Sequence, residues 1–526
     1  MELSPPETTT ALSLATIVPS VLLMGAATAA ASVLWLFKDQ PDNLPPGPPV
    51  YLPGLGNLLK LAGDPVQALW DLRERYGDVF RLYLGSQLVV VLNGYDVVKE
   101  VLITRGSEFS FRPDSFLKEK IAEDKGILNT NGPEWHEQKI NVLRTMRDLG
   151  RSGGRFDQNV DAVLATLTSA LKSRLGADGT SDNMDVTTLI RRSVCCVSFA
   201  TVYGRRLSPE DREIQIYTDK LNTLFNYFGA LAVVNFLPCV QHLPGDPACY
   251  HACLDMVQEL ETQVVKPELR RLTQEVEKSE ADESRDPEET NDCLVACYLR
   301  EMIRKRKQGA STHLTESQLL RATGDLMAGS YDPVSTTVLW MLLYLSYYPE
   351  VQERCHKEAK AALDQCQGQV MEATRSRLLN YTAATVLEVQ RLANVVPFIP
   401  SHSAMEDSVI SGYHVPRGTT LLINTDSMMK GPHVGEDWED FRPERFLDSA
   451  GCLKTPDWFM PYGAGPRICV GAQVSKREIL AFTSSLLAAF KFSPAIKNGR
   501  PCEINLVGEL TLTHMPKPFT LSVACR

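Results

Sequence analysis

One stretch near the C-terminus restricts this chain more than any other: Tyr462-Gly463-Ala464-Gly465-Pro466-Arg467-Ile468-Cys469-Val470-Gly471. Glycines that accept left-handed backbone and a proline that fixes φ surround a single cysteine, which specifies a tight, preformed turn. After Gly471 the apolar residues Ile479, Leu480, Phe482, Leu486 and Leu487 recur at helical spacing. Cys469 is therefore expected just ahead of a helix N-terminus, where the dipole and unpaired N–H groups favour a thiolate. Arg467, in the same turn, is expected to add positive charge. Together these residues describe a thiolate held out as a ligand, whereas an ordinary buried cysteine needs none of them.

The other cysteines do not compete for that role. There are 13 in 526 residues with no CxxC pair, too sparse for a disulfide scaffold and wrongly spaced for structural zinc. Reduced thiols in a cytosol-facing protein follow. With 44% hydrophobic and 22% charged residues the composition is globular, which excludes disorder, collagen and coiled coil. The net charge of −10 argues against a nucleic-acid partner.

From Ala11 to Phe37 no residue is charged. As a helix that run is roughly 40 Å long, enough to span a bilayer. Ala27-Thr28-Ala29 would suit a signal peptidase, but Glu2 and Glu7 stand where a basic n-region belongs and Lys38 follows the run. An uncleaved anchor with the body on the cytosolic side is expected. Leu44-Pro45-Pro46-Gly47-Pro48-Pro49 then reads as a stiff extended hinge. The expected organisation is an anchor and linker over 1–43 and a single body over 44–526.

In the body, Val79 to Tyr83 and Leu88 to Leu92 flank Gly85-Ser86 as a hairpin. Helical periodicity covers Asp157 to Arg174, Cys253 to Leu272, Leu319 to Leu345 and Glu350 to Leu363, and short strands return from Ile410 to Leu422 and at the C-terminus. The expected fold class is α+β, mainly α with small β-sheets. The acidic segment Glu275 to Asp292 is expected as a solvated loop.

The cysteine turn resembles the haem-binding loop of the cytochrome P450 superfamily, F-x-x-G-x-R-x-C-x-G, with Tyr462 in the usual Phe place. Glu388-Val389-Gln390-Arg391 resembles that family's E-x-x-R pair, Phe441-Arg442-Pro443-Glu444-Arg445-Phe446 its locking segment, and the proline hinge behind an anchor its microsomal members. The resemblance spans essentially the whole chain. It implies the cytochrome P450 fold behind a transmembrane anchor. It also implies haem b with Cys469 as the axial iron ligand, the thiolate donation favouring O–O cleavage. Glu388 and Arg391, one helical turn apart, share a face, and Arg445 as a third partner leaves no charge unpaired; their implied role is structural. The implied propionate ligands are Arg467, His402, Trp135 and Lys139, the last where the family usually has Arg, which loses the bidentate fork.

One motif departs. Aligned through Ser335-Thr336-Thr337, the oxygen-activation segment reads Gly329-Ser330-Tyr331-Asp332-Pro333-Val334. The acid survives as Asp332, but the threonine that follows it is Pro333, which has no hydroxyl and inside a helix removes a bond to Gly329. Proton delivery is then expected from Asp332, from Ser330 one turn earlier, or from the substrate. Three readings stand: a reductase-dependent monooxygenase first, a haem–thiolate isomerase or dehydratase acting on a ready-made peroxide second, and a haem-dependent ligand sensor or carrier third.

Tyr76-Gly77-Asp78-Val79, Phe111-Arg112-Pro113-Asp114 and Asp407 to Tyr413 resemble the animal microsomal group of families one, two, seventeen and twenty-one. That implies a small apolar substrate such as a steroid, lipid or xenobiotic, under a roof from Leu224 to Gly229 with a following loop from Val233 to Pro238. It also implies NADPH-cytochrome P450 reductase and cytochrome b5 as partners, docking near Lys139, Arg144, Arg147, Lys476 and Arg477. Membrane lipid is the remaining partner, and the endoplasmic reticulum, with the catalytic domain facing the cytosol, the location.

Overall fold

The computed structural model describes residues 42–50, 54–151, 154–281 and 293–526. The anchor expected from Ala11 to Phe37 lies outside the described residues, and among the described residues no helix is long and apolar enough to cross a membrane.

The first part of the chain runs α1 (Pro65–Tyr76), β1 (Val79–Leu84), β2 (Gln87–Leu92), α2 (Gly132–Leu149), α3 (Arg155–Lys172), β3 (Thr180–Met184), α4 (Thr187–Tyr203) and α5 (Arg212–Phe236). There follow α6 (Tyr250–Leu260), α7 (Lys266–Ala281), α8 (Leu294–Lys307), α9 (Glu316–Tyr347), α10 (Pro349–Gln365) and α11 (Asn380–Ala393). The last part holds β4 (His402–Ser403), β5 (Ser408–Ile410), β6 (Tyr413–Val415), β7 (Thr420–Ile423), α12 (Ala472–Ala489), β8 (Phe490–Pro494) and β9 (Leu521–Cys525). Helices dominate and the sheets are small, which is the α+β class the periodicity calls for.

The main sheet has the order β1-β2-β7-β4. β1 and β2 form the expected hairpin around Gly85, whose φ of 61° the turn requires. β2 then pairs in parallel with β7, and β7 antiparallel with β4, which sets His402 opposite Leu421. The proline hinge docks on this sheet: Pro46 accepts the Arg81 N–H at 2.8 Å, and the Arg81 guanidinium donates to Pro45.

α9 is the axis of the core. Thr315 caps it by accepting the Gln318 N–H at 3.2 Å. From Val334 to Ser346 every residue is buried, so this half is enclosed on all sides and packs against α4 and α12. Pro333 lies inside it without ending it, and the Thr337 hydroxyl donates to the Pro333 carbonyl at 2.7 Å.

Two boundaries differ from expectation. α7 continues to Ala281, so the first part of the acidic segment is helix; Leu272 and Val276 bury one face while Arg271 pairs with Glu275 at 2.8 Å on the other. The rest of that segment lies outside the described residues. α5 likewise runs through Val233 to Phe236, because nothing breaks the helix before Pro238.

Candidate active site

The cysteine turn is built by its glycines. Gly463 and Gly465 have φ of 69° and 68°, and a Cβ at Gly465 would stand 1.7 Å from the Leu102 carbonyl oxygen. The Tyr462 carbonyl accepts the Cys469 N–H at 3.0 Å, and α12 begins just beyond. Burial pushes the Cys469 thiol up, opposed by the N–H groups of Gly471 and Ala472, which donate to the sulfur. Unlike the buried Cys195, Cys196, Cys253, Cys293 and Cys355, Cys469 keeps part of its surface open to solvent, although the protein packed around it still desolvates the thiol. The Arg467 guanidinium itself is held by Trp135 and by the carbonyls of Ser110 and Thr130.

Arg467 stacks 3.9 Å over the Trp135 ring. Its Nε donates to the Ser110 carbonyl at 2.7 Å, and its Nη2 to the Thr130 carbonyl at 2.7 Å and to Asn131 Oδ1 at 2.9 Å. Nη1 is buried with no hydrogen-bond partner among the described residues. Arg112 lies beside it, donating to the carbonyls of Ser401 at 2.9 Å and Leu128 at 3.2 Å. Neither guanidinium has an ion pair among the described residues. Burial lowers Arg467 to about 9 and Arg112 to about 10, with Arg112 further depressing Arg467. His402 completes the group: its Nδ1 donates to the Phe109 carbonyl at 2.8 Å, and burial with the two guanidiniums holds it neutral, at about 3. Two half-buried cations without a counter-ion among the described residues call for an anionic occupant, and the carboxylates of haem b fit that demand. Lys139 behaves differently: its ammonium, 5.1 Å over Trp135, donates to the Pro466 carbonyl of the cysteine turn. The Phe111-Arg112-Pro113-Asp114 motif contains Arg112 without marking it as a propionate ligand. A lone Arg before a proline gives no sign that the fold will carry it to Arg467.

Behind the cysteine turn lies a wholly buried charge network. Arg391 grips Glu388 bidentately at 2.7 and 2.8 Å, and also donates to the carbonyls of Trp438 at 2.7 Å and Met429 at 3.2 Å. Glu388 further accepts the Arg442 N–H at 2.9 Å, with Arg445 Nε at 3.5 Å. Arg445 is held in turn by Asp437 at 3.0 Å. Glu388, Arg391 and Arg445 are thus brought together, the last through a looser contact.

On α9, Asp332 is fully buried. It pairs with Arg191 of α4 at 2.8 Å and accepts the Thr513 hydroxyl at 2.7 Å; Thr513 stands 3.3 Å from the Thr336 hydroxyl. Arg191 also donates to the Tyr331 hydroxyl at 3.0 Å, which donates to Asn222 of α5 at 2.7 Å. Ser330 is not in this set: its hydroxyl bonds Ser198 of α4 at 2.9 Å. No sequence signal links Thr513 or Arg191 to Asp332, since both contacts are purely tertiary.

Two turns earlier on α9, Asp325 accepts the N–H groups of Ile127 and Leu128 at 2.8 and 2.9 Å. It thereby clasps the segment whose Leu128 and Thr130 carbonyls hold Arg112 and Arg467. Burial raises its carboxyl from the ordinary 3.8 to about 6, against the pull of the two N–H groups and Arg321. A raised acid binds its proton more tightly in the folded state, so its contribution is fully present below pH 3.8 and lost as pH rises through about 6. Asp325→Asn keeps an accepting oxygen and cannot ionise. Its melting temperature is expected to fall less than the parent's across that window, as thermal denaturation at a series of pH values would read.

The chain matches the cytochrome P450 family model over residues 45–523. It belongs to the cytochrome P450 family. Cytochrome P450 2D26 of Rattus norvegicus is 32% identical over 498 residues, covering 92% of this chain and 93% of that protein. Cytochrome P450 2U1 of Homo sapiens is 28% identical over 529 residues, covering 96% and 93%. Cytochrome P450 2J1 of Oryctolagus cuniculus is 29% identical over 480 residues, covering 90% and 91%. As a cytochrome P450, the protein is a monooxygenase that uses haem b bound through a cysteine thiolate. Its relatives indicate a small organic substrate, a redox partner and association with the endoplasmic reticulum membrane.

Proposed function

We propose that this cytochrome P450 oxidises a small apolar substrate with Cys469 as the iron ligand, taking electrons from NADPH-cytochrome P450 reductase and, as a second donor, cytochrome b5. The observation that carries the reading is the cysteine thiol receiving helix N-terminal N–H groups while the Arg112–Arg467 pair lacks a counter-ion among the described residues. Bound haem supplies oxygen activation. Gly471 and Ala472 temper the thiolate charge, and Arg112, Arg467 and His402 hold the propionates, with Trp135 supporting Arg467. Residues 1–43 form the membrane anchor and linker, in contact with lipid, and 44–526 the catalytic domain on the cytosolic side.

Phe225, Tyr227 and Phe228 on α5 favour a flat apolar ligand such as a steroid, lipid or xenobiotic. Phe225 also stacks on Tyr331, with ring centroids 6.2 Å apart. For docking, Arg144, Arg147 and Lys476 stand exposed, beside the exposed Ile140, Leu143 and Ile468. Such a surface favours an acidic partner through electrostatic steering. Lys139 and Arg477 are spent internally, on Pro466 and Asp157, and contribute little to it.

Asp332 is the proposed proton source, through Thr513 and Thr336, and Ser330 the alternative donor. The enclosure of Asp332 by Arg191, together with the hydroxyl lost at Pro333, favours a second reading in which a ready-made organic peroxide is rearranged without reductase. One experiment separates them: product per NADPH with reductase over a steroid and lipid panel, and product from organic hydroperoxide alone. On the first reading Asp332→Asn loses turnover by roughly 10²-fold and diverts reducing equivalents to hydrogen peroxide. Parent-like coupling in both Asp332→Asn and Ser330→Ala would sink the relay, and product from hydroperoxide without reductase would establish the second reading.

A further inference from the structure

Pro333 leaves one backbone acceptor of α9 without its donor. In an α-helix the Gly329 carbonyl takes its hydrogen bond from the N–H of residue 333. A proline there has none, yet α9 continues through it to Tyr347. No nearby hydroxyl takes its place. Ser330 bonds Ser198 at 2.9 Å and the Met327 carbonyl at 3.3 Å, Ser335 the Asp332 carbonyl at 3.1 Å, and Thr337 the Pro333 carbonyl at 2.7 Å, while Thr336 stands against Thr513. Gly329 is exposed although Met327, Tyr331 and Asp332 beside it are buried, and a Cβ built on it, or on Gly324, meets no atom within 4 Å. Asp325, one helical turn before Gly329, shares its face and clasps the segment whose carbonyls hold Arg112 and Arg467. The Gly329 oxygen therefore opens on a hollow, on the side of α9 that meets the Arg112–Arg467 segment.

We propose that the Gly329 carbonyl anchors the substrate, and that the substrate is an apolar molecule carrying a hydroxyl whose O–H donates to it. The inference rests on this cytochrome P450 oxidising an apolar substrate beside α9, and it names the polar group which that substrate bears. A neutral donor fits better than a cationic amine, because neither carboxylate on this half of α9 is free to balance a positive charge. Asp332 is held by Arg191 and Thr513, and Asp325 by the N–H groups of Ile127 and Leu128. A ligand without the proton leaves the Gly329 oxygen desolvated and unpaired, which is how a polar site rejects an analogue. The hydroxyl also fixes which carbon of the skeleton lies against α9, so the position of oxidation follows the position of the hydroxyl.

The test is equilibrium dialysis of the haem-loaded full-length protein against two matched series: androstane, the androstanols and their methyl ethers, and dodecane, dodecanol and its methyl ether. The parent is expected to bind the alcohol of at least one series roughly fivefold tighter than its ether, the worth of one neutral hydrogen bond. Pro333→Ala returns an N–H to that position and with it the helix bond to Gly329, so alcohol and ether are expected to bind alike. Pro333→Val also returns the N–H but carries a bulkier side chain, and is expected to lose the preference too, which separates the hydrogen bond from the shape of the hollow. An alcohol-to-ether ratio near one in both series, no alcohol binding at all, or a preference that survives either substitution would overturn the proposal. A clear preference in the parent without NADPH- and reductase-dependent product from any alcohol would overturn the oxidation reading beneath it instead, so the two failures are distinguishable.

Discussion

Cys469→Ala is expected to yield a protein whose reduced form has no thiolate-type carbon monoxide band and whose turnover with reductase falls to background. The axial sulfur sets the electronics of the iron, and no other side chain in the turn offers a soft anionic ligand. The competing cysteines are poorly suited. Burial pushes Cys196 and Cys355 up to about 12 and Cys253 and Cys293 to about 11, so they are protonated thiols in apolar surroundings. Cys239, Cys452 and Cys525 are exposed, but none opens a long helix in a glycine turn. Replacing any of these with Ser should leave the band intact. A reduced carbon monoxide difference spectrum on each variant decides the matter, and a normal band in Cys469→Ala would refute the assignment.

Glu388→Ala is the second large effect. It strips the carboxylate from Arg391, which is wholly buried and spends Nε and Nη2 on that carboxylate. Breaking one side of a buried pair costs about 3–5 kcal/mol, because the remaining charge stays desolvated. Against a total stability of about 5–15 kcal/mol, that is enough to prevent haem-loaded protein from accumulating. The exposed pair Arg354–Glu444, at 2.5 Å with both side chains about half exposed, is the internal control. Glu444→Ala is expected to change stability by only ~0–1 kcal/mol. Thermal denaturation and the haem-to-protein ratio report both, and equal effects from the two substitutions would contradict the argument.

What could be read from the residue order was local. Helical periodicity located α3, α9 and α10, and the alternation around Gly85-Ser86 located the hairpin, because backbone preference and side-chain spacing act over a few residues. The same holds at the site: glycines around Cys469 dictate a turn into a helix, and Glu388 and Arg391 meet because one helical turn separates them. Helix ends were less legible. α5 and α7 outrun their expected limits because a few polar or small residues do not stop a helix whose apolar face is already packed.

The partners of each charge were decided by the tertiary structure alone. Arg467 is two residues from Cys469 in sequence, yet the 3-10 turn from Gly465 to Arg467 sends its guanidinium to Trp135 and Thr130. Arg112 joins it only because the segment after β2 folds back onto the strand that carries His402. Asp332 was legible as an acid, but Arg191 and Thr513 come to it from α4 and from the loop before β9. Short-range spacing encodes which side chains share a face. Which face meets which is set by the simultaneous packing of several helices, where desolvated charges must find partners wherever the fold supplies them.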